Sequence, residues 1–260
     1  MPARDIPTVT LTKGTAMPLL GLGTWQASSG DAYDAVRVAL DLGYRHVDTA
    51  TMYRNEREVG LAVRAGGAPR DEVFVTTKLP PGEADRAEEV IQASLRAMEL
   101  DYVDLWLIHW PPGRAASPLT WQRLLDVRDA GLAREVGVSN YSIEQIDELE
   151  RATGELPAVN QIEWGPKLFD AAVLAEHDRR GVVLEGYSPF RSTDLGAEAL
   201  TSVAAAHDKT SRQVVLRWHL QHGIVAIPKS TNPDRIAANL DVLDFELTDQ
   251  EMASIDRLGR

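Results

Sequence analysis

Eight short apolar runs, each followed by a segment with helical spacing, constrain this chain more than any other feature. They are read at Leu20–Gly23, the run ending at Asp48, Val73–Thr77, Val103–Ile108, Glu135–Val138, Ala158–Ile162, Val182–Tyr187 and Ile224–Ile227. Apolar residues between them recur with a 3.6-residue period, as in Ala35, Val36, Ala39 and Leu40, or Ile91, Leu95 and Met98. Strands alternating with helices at this interval imply right-handed crossovers and a parallel sheet. Eight of them predict a closed α/β (β/α)8 TIM barrel rather than an open sheet. Ahead of the first run, VTLTKGTAMPLL reads as a β-hairpin turning at Lys13-Gly14.

Helix starts carry their own chemistry. Ser142 with Gln145, Thr210 with Gln213 and Thr248 with Glu251 have the capping-box spacing, in which side chains satisfy the first free N–H groups. No Pro/Gly/Ser-rich linker and no repeat divides the 260 residues, so 1–260 is read as one domain. A net charge of −12 argues against nucleic acid, because phosphate contacts need a basic surface. The absence of cysteine excludes disulfides, thiolate nucleophiles and sulfur-bound zinc. MPARDIPTVT lacks the apolar core of a secretion signal, and no run approaches the ~18 residues of a membrane span. A cytoplasmic location without a membrane partner is the default expectation.

Several strand-like runs end on ionisable groups: Asp48 with Tyr53 in RHVDTATMY, Lys78 in VFVTTK, and His109 in LWLIHW. In a barrel such ends converge at the C-terminal mouth, where reactive groups are found. A phenol is a poor acid at neutral pH, with a pKa of about 10, but a nearby ammonium favours the phenolate. Taken singly, Asp48 fits a cap, Lys78 a solvated cation and His109 a satisfied histidine beside Trp110. Taken together they read as one proton-donating constellation. His46, His177, His207, His219 and His222 lack ligand spacing such as HExxH, so no metal site is expected.

Two segments bear on nucleotide binding. Gly21-Leu22-Gly23 begins like a dinucleotide fingerprint, but the third glycine is missing and Trp25-Gln26 follows where a helix should open. Those glycines are better read as permitting a tight strand exit. In IPKSTNPDRIAANL, by contrast, Lys229, Ser230 and Thr231 precede Asn232-Pro233, a good helix cap with proline at the first position, and Arg235 follows in the first turn. Cations, a hydroxyl and free N–H groups at one helix start make an anion site.

With these residues in hand, the chain resembles the aldo-keto reductase family, particularly its short bacterial members of the diketogluconate-reductase type. The resemblance rests on MPLLGLGTWQ, GYRHVDTATMYRNEREVG, VFVTTKL, DYVDLWLIHWP, GVSNYS, VNQIEW, GYSPF and IPKSTNPDRIAANL, in that order. It implies a barrel reductase with an extra C-terminal helix that binds extended NADPH without a Rossmann turn. The catalytic positions it implies are Asp48, Tyr53, Lys78 and His109. Gly23 and Thr24 match cofactor-side positions at the first strand exit, and Ser139, Asn140 and Gln161 the nicotinamide-amide contacts. Tyr187 matches the stacking aromatic, and Ser188, Pro189 and Phe190 the pyrophosphate wall. Lys229, Ser230, Thr231 and Arg235 match the 2′-phosphate clamp, and Asn239 the adenine contact. Trp25 and Trp110, with Tyr53 and Phe190, are the expected apolar contacts of a small-molecule carbonyl substrate.

Departures from the family pattern concern selectivity. Many relatives carry an acidic residue at the position of Ala238, where it meets the adenine amino group. The sequence given ends soon after its final helix, and the loop PPGRAASPL after His109 is short, so two walls of the pocket are expected to be reduced. The expectation is an open mouth with loose selection among aldehydes, α-diketones and keto sugars, on a monomer. Two other readings stand beside reduction. One is a nucleotide-sensing regulatory barrel with slow catalysis; the other is imine chemistry at Lys78, which Asp48 opposes by keeping the amine protonated.

Overall fold

The structure, a computed structural model, describes residues 6–191 and 193–259. Arg260 and the first five residues, on which part of the terminal readings fell, lie outside the described residues. Strands β1 (Thr8–Thr10) and β2 (Ala16–Pro18) pair antiparallel. The expected turn is present: Gly14 adopts φ 89°, and its N–H donates to the Leu11 carbonyl at 2.9 Å.

The barrel strands are β3 (Leu22–Gly23), β4 (His46–Asp48), β5 (Phe74–Leu79), β6 (Val103–Ile108), β7 (Ala133–Ser139), β8 (Val159–Glu163), β9 (Val183–Tyr187) and β10 (Val225–Ile227). All are parallel and adjacent in chain order. Parallel bridges Leu20↔Ala226 and Gly23↔Lys229 close the ring. That closure explains Gly23, because a Cβ there would sit 2.9 Å from the Ile227 carbonyl oxygen.

The helices are α1 (Ser29–Leu42), α2 (Glu56–Ala65), α3 (Ala87–Met98), α4 (Pro118–Asp129), α5 (Ile143–Thr153), α6 (Ala171–Arg180), α7 (Glu198–Ala206), α8 (Ser211–Gln221), α9 (Pro233–Leu240) and α10 (Asp249–Asp256). All three capping boxes form, at the starts of α5, α8 and α10. The periodic residues of α1 and α3 are buried against the barrel. Helices α2 and α3 pack so closely that a Cβ on Gly60 would run into the Met98 backbone.

Two strands are longer than their apolar runs. β5 continues through Thr77, Lys78 and Leu79, so Lys78 lies within the strand and not at its end. Polarity hid this, because the barrel mouth supplies partners for those groups: the Thr77 hydroxyl donates to Glu56 at 2.6 Å. β7 extends at both ends around the buried Glu135, whose carboxylate accepts from the Thr12 hydroxyl and the Lys13 backbone N–H at 3.1 and 2.8 Å. The hairpin is thereby tied to the β7 end of the barrel opposite the mouth. Among the described residues no helix is long and apolar enough to cross a membrane.

Candidate functional site

The four ionisable groups meet at the C-terminal mouth. Asp48 closes β4, and Tyr53 follows in a single 3-10 turn, Thr51–Tyr53, that Arg54 ends with φ 58°. The Thr51 hydroxyl fastens this turn to β5 by donating to the Lys78 carbonyl at 3.0 Å. Lys78 is wholly enclosed, and its ammonium donates to both Asp48 oxygens at 2.7 Å and to the Thr49 carbonyl at 2.8 Å. Three donors meet three acceptors, the condition under which a buried cation is tolerated. The same ammonium lies 5.2 Å from the Tyr53 ring centroid. The Tyr53 and His109 rings meet edge to face with centroids 5.7 Å apart.

Electrostatics correct one expectation. Burial raises the Tyr53 pKa above its ordinary value, and the Lys78 charge offsets this only in part, so the phenol of the free protein is a weaker acid than usual. Lys78 goes up as well: burial favours the neutral amine, but Asp48 and Tyr53 more than compensate. Burial and the Lys78 charge push His109 down to about 3, so its ring is neutral. Among the described residues, enclosed His109 Nδ1 has no hydrogen-bond partner. A buried N–H lacking an acceptor costs about 1–3 kcal/mol, which favours the tautomer with its proton on Nε2.

Asp48, Tyr53 and His109 open onto a cavity of about 460 Å³ lined also by Gly23, Trp25, Trp110, Ser139, Asn140, Gln161, Tyr187, Ser188 and Lys229. Ser139 ends β7, and Asn140 beyond it takes a left-handed conformation, φ 64°, that asparagine tolerates better than most residues. Hydrogen bonds hold it there: its amide donates to Ser139 Oγ at 2.9 Å and accepts from the Tyr187 hydroxyl at 2.9 Å. Gln161 is more committed than its motif suggested. Its amide nitrogen donates to Asp48 and to Glu185, each at 2.9 Å.

Other expected contacts fall away from the cavity wall. The Thr24 hydroxyl, buried, is spent on the Asp48 carbonyl at 2.9 Å and serves to hold the loop. Pro189 is buried, and Phe190 packs against both apolar clusters with the Arg212 guanidinium 5.4 Å from its ring centroid. Thr231 and Arg235 lie at the start of α9, Arg235 exposed, a few residues beyond the exposed Lys229 that does line the cavity. Ser230 is buried there and bonded to Asn232, whose side chain caps the helix by accepting from the Arg235 N–H at 3.0 Å. Asn239 is buried in the same helix. Among the described residues no group of three metal-ligating side chains converges.

Several participants escaped the sequence reading. Met52, 56% exposed, adds to the apolar rim with Trp25 and Trp110, and Glu163, Arg191 and Ile227 also line the cavity. Asn55 fastens the Trp25 loop through bonds to the Thr24 and Ala27 carbonyls at 3.0 and 3.2 Å; its position just before a helix was the available signal. Glu185 is fully buried, and burial with the neighbouring Asp48 charge pushes its carboxyl up to about 8. A charged residue in the middle of the apolar run VVLEGY was the clue.

Comparison with known proteins agrees with this fold. The family model described as Aldo/keto reductase family matches residues 19–260. An aldo-keto reductase of Mycolicibacterium vanbaalenii is 44% identical, covering 98% of this chain and 93% of the relative. Relatives named morphine 6-dehydrogenase, from Pseudomonas putida, and methylglyoxal reductase, from Yersinia pestis, are 42% and 40% identical, each over 97% of this chain and over 91% and 92% of the relative. A Brucella melitensis aldo/keto reductase superposes with a TM-score of 0.94 at 37% identity, over 98% of both chains. A Bombyx mori aldo-keto reductase in complex with NADP gives 0.89 at 36%, over 98% of this chain and 93% of that one. With the barrel and this likeness along nearly the whole length in agreement, the chain belongs to the aldo/keto reductase family.

Proposed function

We propose that this barrel reduces small aldehydes and ketones to alcohols with NADPH, and that 1–260 works as one domain whose first and last barrel strands close the same ring. One observation carries the reading: an enclosed ammonium, neutralised by Asp48, lies beneath the Tyr53 ring and beside a neutral histidine at an open cavity. The family is described by aldo/keto reduction, and one relative is named for reduction of methylglyoxal, a small carbonyl compound.

The residues present fit the cofactor. Ser139 and Asn140 offer a hydroxyl and an amide at the cavity wall, and the Tyr187 ring lies half-buried beside them. Lys229 and Arg235 offer two exposed cations at a capped helix start, suited to the 2′-phosphate that separates NADPH from NADH. NADPH, when bound, supplies the hydride.

The chain's own groups then do the following. His109 donates from Nε2 to the substrate carbonyl oxygen and holds it toward Tyr53. Tyr53 gives its proton to that oxygen as negative charge develops there, and Lys78 stabilises the phenolate left behind. Asp48 keeps the amine charged. Solvent returns a proton to Tyr53 before the next turnover. Trp25, Met52 and Trp110 provide an apolar rim with few specific contacts, which discriminates modestly among substrates. The test is NADPH oxidation over a panel of aldehydes, α-diketones and keto sugars. Tyr53→Phe retains NADPH binding by fluorescence and loses about 10²–10⁴ in kcat; near-normal turnover of that variant refutes the acid assignment.

A further inference from the structure

Beneath the mouth lies a carboxyl group that the proposed reaction does not use. Glu185 on β9 stands in register with Gln161 on β8. One hydrogen of the Gln161 amide goes to Asp48 Oδ2 and the other to Glu185 Oε2, both at 2.9 Å. Glu185 Oε1 is enclosed and, among the described residues, has no hydrogen-bond partner. Its nearest basic atom is Nε2 of the wholly buried His46 on β4, 3.7 Å away.

The proton count follows from His46. Its Nδ1 faces the Pro18 carbonyl at 3.3 Å, an oxygen that can only accept, so Nδ1 carries the hydrogen and Nε2 a lone pair. Burial pushes His46 down to about 4, leaving it uncharged. The charged groups facing Glu185 are therefore Asp48 from β4 and Lys78 from β5, which neutralise each other, with the Tyr53 phenol beyond them. β8 and β10 contribute only Gln161 and Val225 at its level. An ionised Glu185 would have no counter-charge of its own.

We propose that Glu185 is a positioning residue of the reductase site: as a neutral acid it holds the Gln161 amide on Asp48, and its charge state sets, through Lys78, how readily Tyr53 yields its proton. Ionisation at high pH adds a negative charge that tightens the hold on the Lys78 proton and opposes the phenolate. Glu185 thus raises the pH needed to form the Tyr53 phenolate, the species that must accept a proton in the alcohol-oxidising direction. The inference rests on the acid role of Tyr53 proposed above.

Glu185→Gln keeps the shape and cannot ionise. In the alcohol-oxidising direction with NADP, the rise of log kcat/KM with pH is expected to shift by about one pH unit toward lower pH relative to the unaltered protein, the size of one charge ~10 Å away at an effective dielectric of ~20. Phenolate absorbance of Tyr53, obtained by difference against Tyr53→Phe, moves by the same amount without any cofactor. In the unaltered protein, an infrared band of a protonated carboxyl persists at pH 7 and disappears as the pH passes about 8; this arm needs no variant to fold. Superimposable profiles, or no protonated-carboxyl band at pH 7, overturn the proposal. An active Tyr53→Phe instead overturns the acid role itself, which distinguishes the two failures.

Discussion

Replacing Lys78 by methionine separates the structural from the chemical work of the buried pair. The ammonium is wholly enclosed and makes three hydrogen bonds of 2.7–2.8 Å, two of them to Asp48. Methionine fills a similar volume but leaves the Asp48 carboxylate, 2% exposed, with one remaining side-chain donor in Gln161. Removing one partner of a buried ion pair costs about 3–5 kcal/mol, because the other charge stays desolvated. At about 2–4 °C per kcal/mol for a chain of this order, Tm falls by roughly 6–20 °C. Lys78→Met combined with Asp48→Asn removes both charges, and since a neutral pair of similar volume is often as stable as the ion pair, most of the loss returns. Activity does not return, because no cation remains to stabilise the Tyr53 phenolate. The assay is urea denaturation of the two single variants and the double variant, with NADPH turnover measured alongside. A Lys78→Met protein within about 1 kcal/mol of the unaltered one refutes the argument. So does a double variant whose loss is the sum of the single losses, or one that regains turnover.

The other predictions test separate parts of the site and scaffold. Lys229→Met and Arg235→Leu each raise the KM for NADPH about tenfold or more, from the ~1.5–3 kcal/mol of a charge-assisted hydrogen bond, and leave the KM for NADH within about twofold; equal effects on both cofactors exclude a 2′-phosphate clamp. His109 is held near 3 in the folded state against 6.5 when exposed, so it stabilises the fold fully above pH 6.5 and loses that contribution as the pH falls toward 3. His109→Gln therefore flattens the acid limb of stability against pH by up to ~5 kcal/mol, read by denaturant titration at stepped pH. Gly60→Ala, which drives a methyl into the Met98 backbone, destabilises by about 2–3 kcal/mol in urea while turnover per folded molecule is unchanged.

Sequence by itself determined the succession of elements, because helical and strand periods, capping boxes and turn glycines act over a few residues. Ser142, Thr210 and Thr248 start helices for reasons contained within four positions each. The mouth residues were legible for a related reason: strands that point one way bring their ends to one rim, so Asp48, Lys78 and His109 had to approach one another once the barrel closed. Only the tertiary structure decided how far each group is removed from water and what faces it. Lys78 read as a strand-end cation and proves wholly enclosed; the phenol of Tyr53 is pushed up by burial more than the ammonium brings it down. His46 and Glu185, 139 positions apart, become neighbours through sheet register and ring closure. Desolvation depends on every atom packed around a group, and no local pattern encodes that.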